Sequence, residues 1–212
     1  MGQLSFFAPP PEEETLEQTR QDCLRCERCR LSQTRDQVVF GAGDPEANLM
    51  LIGQGPSQSD NGTGLPYSGP SGDVLDKALA EVGLSRDKIW LTNIHKCLAY
   101  DAKNRKIRPP RADEIKACQS WLAAEIRLVK PRVIVCVGGP AAKVIIGPQF
   151  KLNEQRGDWQ PNKLAPGVKT LATLQPAYLM RLKEWNREEA LAGWQALVAD
   201  LFKAVEASKE KG

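Results

Sequence analysis

Val133-Ile-Val-Cys-Val137 is an unbroken apolar run, mostly β-branched, and Gly138-Gly139 follows it at once. A run this short, closed by glycine, reads as a strand buried on both faces; a buried helix needs about ten residues or more. Three other segments have the same form. Asn48-Leu-Met-Leu-Ile52 runs into Gly53-Gln-Gly-Pro56, Ile89-Trp-Leu-Thr-Asn93 stands alone, and Thr170-Leu-Ala-Thr-Leu174 precedes Gln175-Pro176. Helical spacing fills the intervals. Residues 71–82 put Val74, Leu75, Ala78, Leu79 and Val82 on one face, and 111–129 do so with Ile115, Cys118, Leu122, Ile126 and Val129. Shorter or terminal helices are expected over 13–26, 139–147 and 186–207. Strand–helix alternation predicts an α/β protein, a three-layer α/β/α sandwich around a central, mostly parallel four-stranded sheet. In such folds the ligand site lies beyond the carboxyl ends of the strands. Those ends carry Gly53–Pro56, Asn93, Gly138–Gly139 and Gln175–Pro176.

The chain has 212 residues, 42% hydrophobic and 26% charged, which suits one soluble domain with a sizeable core. Residues 1–12, rich in Pro and Glu, are expected to be a mobile N-terminal segment, and 13–208 a single domain. No apolar run reaches the roughly 20 residues that span a bilayer, and Met1–Pro11 lacks the form of a signal peptide. A monomer in the cytoplasm, with no membrane partner, is the expectation. Net charge is only +3, so its distribution matters more than its sum. Residues 102–111 read Ala-Lys-Asn-Arg-Lys-Ile-Arg-Pro-Pro-Arg, with Lys103, Arg105, Lys106, Arg108 and Arg111 and no acid. Such a run is either a solvated loop or a contact for a polyanion.

Six cysteines occur, at 23, 26, 29, 97, 118 and 136. In a cytosolic protein they are not expected to form structural disulfides. Cys23-Leu-Arg-Cys26-Glu-Arg-Cys29 is a double C-x-x-C, the spacing of a metal or cluster site. Cys97, just past a strand, and Cys118, inside a helix, can close a four-thiolate set; tetrahedral zinc and an iron–sulfur cluster both suit it, and spacing does not choose. Cys23 either competes as a ligand or packs, and Cys136, mid-strand, reads as a packing residue. The loop from Gly53 to Gly69 offers glycines for close backbone approach, the Asp60 carboxylate, and the flat face of Tyr67 for stacking a base. It has no G-K-[ST], so a phosphate-cradling P-loop is not indicated.

Taken in order, several blocks resemble the family-four, iron–sulfur uracil-DNA glycosylases. They are Cys26-Glu-Arg-Cys29 through Arg35 to Gly41, Gly53-Gln-Gly-Pro56, Gly64-Leu-Pro-Tyr-Ser-Gly69, Thr92-Asn-Ile-His-Lys-Cys97, Gly138-Gly-Pro-Ala-Ala142 and Gln175-Pro-Ala-Tyr-Leu-Met-Arg181. The likeness runs from about residue 22 to 204. It implies a [4Fe-4S] cluster on Cys26, Cys29, Cys97 and Cys118, leaving Cys23 out. It implies a DNA repair enzyme that flips uracil, or a related damaged base, out of DNA and hydrolyses its N-glycosidic bond. Asn93 would read the Watson–Crick edge of the base, Tyr67 would stack on it, and the backbone of Gln54 and Gly55 would line the pocket. Asp60 would orient water or stabilise the sugar cation, Gln175 would donate to the departing base, and Arg181 would join the basic loop on phosphate.

The motifs also depart from the family. Where it has a Glu-Asp pair, this chain has Asp60-Asn61; where it has Glu and His, this chain has Gln54 and Gln175. A neutral Gln175 stabilises a departing anion less than an imidazolium does. Arg105-Lys-Ile-Arg108 resembles the inserted Arg-Arg-Ile-His loop of relatives that crosslink to DNA, but Arg108 stands where their nucleophilic histidine does. The sole histidine is His95, which can face the core, the cysteine site or the DNA. These departures keep two alternatives open: a weakened glycosylase fold that binds damaged or modified DNA, and a glycosylase for a base other than uracil.

Overall fold

The structure, a computed structural model, describes residues 14–210. The N-terminal segment 1–12 lies outside the described residues. In chain order these form α1 (Leu16–Leu24), β1 (Ala42–Gly43), β2 (Leu49–Gly53), α2 (Gln58–Thr63), α3 (Pro70–Glu81), β3 (Trp90–Asn93), β4 (Tyr100–Asp101), β5 (Lys106–Ile107), α4 (Ala112–Val129), β6 (Val133–Val137), α5 (Gly139–Ile145), α6 (Leu152–Gln155), β7 (Lys169–Thr173), α7 (Pro176–Trp185) and α8 (Arg187–Lys209). The main sheet has the order β1-β3-β2-β6-β7. The four expected strands pair in parallel, with Met50 opposite both Trp90 and Ile134, and Ile134 opposite Thr170. A fifth, β1, joins the outer edge of β3 antiparallel, Ala42 opposite Leu91. Two residues give no periodicity to read; the pairing covers an edge that would otherwise expose unpaired backbone groups.

The period-two alternation of the strands builds two cores. Met50, Ile52, Ile134, Cys136 and Ala172 face Cys23 of α1, Leu122 and Ile126 of α4, and Ala141 and Ile145 of α5. Leu49, Leu51, Leu91, Val133, Val135 and Leu171 face Leu75 and Leu79 of α3, Leu179 of α7, and Leu197 and Leu201 of α8. Each such fully buried aliphatic side chain contributes about 1.5–3 kcal/mol, so the sheet is held from both sides.

From β2 the chain winds outward to β3, then returns across β2 to β6 and β7. The strand order therefore reverses between β2 and β6, the switch point at which a doubly wound sheet opens a crevice. Gly53, Asn93, Gly138 and Gln175 all fall at that carboxyl edge. No helix among the described residues is long and apolar enough to cross a membrane.

Candidate functional site

At this edge a cavity of about 120 Å³ is lined by Gln54, Gly55, Pro56, His95, Arg108 and Gln175, among others. A larger cleft of about 650 Å³ shares Gln54 with it and runs along Pro140, Phe150 and Leu152. A third, of about 240 Å³, shares Gln175 and includes Tyr178 and Arg181. The structure thus brings Gln54, Gly55 and Gln175 to one cavity. Gln175 is the N-cap of α7 but its side chain makes no capping hydrogen bond, so its amide is left available.

Asn93 and Tyr67 lie one layer deeper, against Gly53. A Cβ on Gly53 would sit 2.4 Å from the Tyr67 hydroxyl and 2.5 Å from Asn93 Oδ1, so only glycine admits both side chains. Asn93 is 2% exposed, and its Nδ2, like Trp90 Nε1 and Thr34 Oγ1, has no hydrogen-bond partner among the described residues. A buried amide N–H left unpaired costs about 1–3 kcal/mol, and folded proteins rarely tolerate one without reason. Tyr67 adopts a left-handed backbone conformation, φ 54°, unusual for an aromatic residue. Arg86 holds it there: Nη2 donates to the Tyr67 carbonyl at 2.7 Å and Nη1 to that of Pro66 at 3.2 Å, while the same guanidinium pairs with Asp76. Burial raises the Tyr67 phenol, which therefore stays protonated.

Asp60 is placed differently from its sequence expectation. It is the third residue of α2, and its carboxylate closes that helix's capping box by accepting from the N–H of Ser57 at 2.9 Å. Its other oxygen accepts from the N–H of Ser68 at 2.7 Å and the Ser68 hydroxyl at 3.0 Å. The group is 4% exposed and does not line the cavity of Gln54 and Gln175. Both oxygens fasten the loop that carries Tyr67, taking three of the carboxylate's roughly four acceptor sites. Asp60→Asn should therefore cost stability, by about 2–4 kcal/mol, because the new amide faces N–H donors. Chemical denaturation checks this, and an Asn variant as stable as wild type but inert would return Asp60 to the chemistry.

The basic run forms a β4–β5 hairpin, Tyr100 opposite Ile107 and Asp101 opposite Lys106. Lys103, Arg105, Lys106 and Arg111 are exposed, as is Arg181. Arg108 departs from the expected phosphate role. Its guanidinium makes a bidentate pair with buried Glu114, at 2.8 and 2.6 Å, and that pair holds the Glu114 carboxyl below the usual range.

Behind β3 a further cavity is lined by Cys26, Cys29, Cys97 and Cys118 and by fully buried Cys23. No three Cys, His, Asp or Glu side chains among the described residues converge closely enough to hold a single metal ion. The thiols surround a space rather than meet at a point. Three of the sulfurs accept hydrogen bonds: Cys26 from Trp121 Nε1 at 3.2 Å, Cys118 from the Lys96 N–H at 3.2 Å, and Cys97 from Arg35 at 3.5 Å. Arg28, Arg35 and Lys96 line the same space, so it is rich in positive charge. Cys136 lies fully buried in β6, as its apolar run implied.

One feature escaped sequence reading, and the placement of another was left open by it. The Lys96 ammonium is buried between the Glu125 carboxylate, the Thr92 hydroxyl at 2.6 Å and the Asn93 carbonyl at 3.0 Å. It links the cysteine side of β3 to the residue at its tip, and a lone Lys in an apolar stretch gives no signal of that. His95 is the other. Its Nδ1 lies 2.8 Å from the Cys97 carbonyl, and burial holds its pKa down to about 4.

Fold and site together define a doubly wound α/β protein with a ligand crevice at its switch point and a thiol-lined cavity behind it. The chain belongs to the uracil DNA glycosylase superfamily, whose family model matches residues 40–198. It is 30% identical over 201 residues to the Type-4 uracil-DNA glycosylase of Thermotoga maritima, covering 94% of this chain and 98% of that one. To the Type-4 enzyme of Pyrobaculum aerophilum it is 29% identical over 161 residues, 74% of this chain and 80% of that one. To the Type-5 uracil-DNA glycosylase of Thermus thermophilus it is 33% identical over 118 residues, 51% of this chain and 53% of that one.

Proposed function

We propose that this chain is a DNA repair glycosylase that extrudes uracil from DNA and hydrolyses its N-glycosidic bond. The observation that carries the reading is Asn93: a buried amide at the carboxyl end of β3, with an unpaired N–H, in a member of this superfamily. An Asn side chain pairs at once with a carbonyl and an N–H, the pattern on the Watson–Crick edge of uracil. Tyr67, which packs with Asn93 against Gly53, would stack on the entering base, while the Gln54–Gly55 backbone would line its edge. As the glycosidic bond breaks, negative charge moves onto the base, and the Gln175 amide at the start of α7 donates to it. Release of free uracil from a uracil-containing oligonucleotide tests this; intact oligonucleotide after prolonged incubation would oppose it.

The same reading places a [4Fe-4S] cluster in the cysteine cavity, on the family likeness and the thiol donor set. Cys23, Cys26, Cys29, Cys97 and Cys118 line that cavity, and N–H groups and cations face the sulfurs, as an anionic cluster needs. Cys26, Cys29, Cys97 and Cys118 would hold it, and its bound contribution is to crosslink α1, β3 and α4. Cys23 packs beside it. Cys23→Ala should retain about four irons per chain and lose only about 1 kcal/mol of packing.

Exposed Lys103, Arg105 and Lys106, with Arg111 and Arg181, would contact the DNA backbone, and the enzyme would act as a monomer in the cytoplasm. Neutralising Lys103, Arg105 and Lys106 together should flatten the slope of log affinity against log salt by about 2–3 units. An unchanged slope removes the hairpin from the interface. Arg108, held by Glu114, is left out of that set.

One observation favours a second reading, a module that binds damaged DNA without cutting it. No carboxylate among the described residues lines the cavity shared by Gln54 and Gln175. Excision assays separate the two.

A further inference from the structure

His95 is the side chain in that cavity that the assignments above leave without a role. Its Nδ1 faces a carbonyl oxygen, which only accepts, so Nδ1 carries the proton. In the neutral ring Nε2 is then a bare acceptor, and it has no hydrogen-bond partner among the described residues. The ring packs against Gly55: a Cβ there would fall 2.0 Å from both Cε1 and Nε2. The imidazole thus occupies the space that a side chain at position 55 would fill, beside Gln54 and Gln175. The remaining candidates in the cavity are weaker. Gln54 and Gln175 offer only amide oxygens, Arg108 only donates and is paired, and Asp60 is elsewhere with both oxygens engaged.

The geometry points to His95 Nε2 as the acceptor that holds the attacking water for hydrolysis, with Gly55 kept side-chain-free so that the ring can reach its place. The inference rests on the glycosylase reading. In the step, water oxygen bonds to C1′ of the sugar while the C1′–N1 bond breaks, its electron pair leaving with the base. One water proton is hydrogen-bonded to Nε2 during the attack and is lost to solvent afterwards; the base takes a proton from solvent.

The test compares wild type, His95→Ala and Gly55→Ala/His95→Ala by single-turnover excision of uracil from an oligonucleotide, with DNA affinity and iron content measured alongside. In the double variant the new methyl at 55 refills part of the space the ring vacates, so a fold lost through a void in the single variant is restored. Both variants should bind uracil-containing DNA within about threefold of wild type, keep their iron, and excise at least about a hundredfold more slowly, the scale of a positioned proton acceptor. Gly55→Ala alone should fold poorly, because its methyl meets the ring. If the double variant excises within about tenfold of wild type, or if binding and iron fall in step with rate in both variants, His95 is a packing residue and the inference fails while the glycosylase reading stands. A wild-type protein that excises uracil from no substrate overturns both.

Discussion

Cys26→Ala is expected to give a protein that holds little iron and fails to fold or melts far below wild type. Residues 26 and 29 follow α1, Cys97 follows β3 and Cys118 lies in α4, so one cluster ties segments that are distant in sequence. Ligands of this kind contribute folding energy directly: structural zinc is worth about 10–16 kcal/mol in small domains. A whole domain has only about 5–15 kcal/mol of net stability, so losing a comparable term removes the folded state or most of it. The same variant also orphans the Trp121 indole N–H, now bonded to Cys26 Sγ. Iron analysis and a melting curve check it. Full iron in Cys26→Ala, or one zinc per wild-type chain, would overturn the ligand assignment.

Asn93→Ala should separate activity from stability. The Asn93 Nδ2 has no partner among the described residues, so its removal orphans no group bonded to it there. The variant should fold within about 1 kcal/mol of wild type, the ordinary size of one polar truncation. Its single-turnover excision rate should fall by about 10²–10³-fold, the loss seen when one aligned polar contact to a developing charge is removed. Discrimination among bases should narrow with it, because a pocket without the amide leaves any polar base edge equally unpaired. A variant as fast as wild type would remove Asn93 from base recognition.

The parts of the fold that were legible are those decided by local pattern. β6 was read residue for residue, and β2, β3 and β7 within one residue, because strands buried on both faces must be apolar throughout. α3 and α4 followed from one apolar stripe each. β1 is set by pairing with β3, a contact 49 residues away at Ala42 and Leu91, which no window contains. α7 went unread because Pro176 marks the end of a strand as readily as the first turn of a helix, where it in fact sits. α2 was hidden in a loop rich in Gly, Ser and Asn, yet Ser57 and Asp60 are the first and last positions of a capping box.

Missing that box also missed the structural part that Asp60 plays. A carboxylate three residues after a serine at a helix start is more often a cap than a catalyst, and Asp60 has the bonds of a cap. Side-chain pairing likewise removes Arg108 from the free cations, since Glu114 lies one helical turn into α4 and fully buried. The cysteines converge because β3 and α4 bring residues 97 and 118 to the end of α1, a tertiary fact foreshadowed only by the double C-x-x-C and the family likeness. His95 and Gly55 form a pair visible only in space: the glycine looks like loop flexibility and the histidine like an isolated polar residue.

The most direct test is single-turnover kinetics of the iron-replete wild-type protein on single- and double-stranded oligonucleotides carrying uracil or other damaged bases, scored by strand scission at the abasic site. The proposed function predicts cleavage at uracil that grows with enzyme concentration to a plateau, and none on the undamaged control. Binding to the same oligonucleotides with no base released from any of them would contradict it and leave a DNA-recognition module in its place.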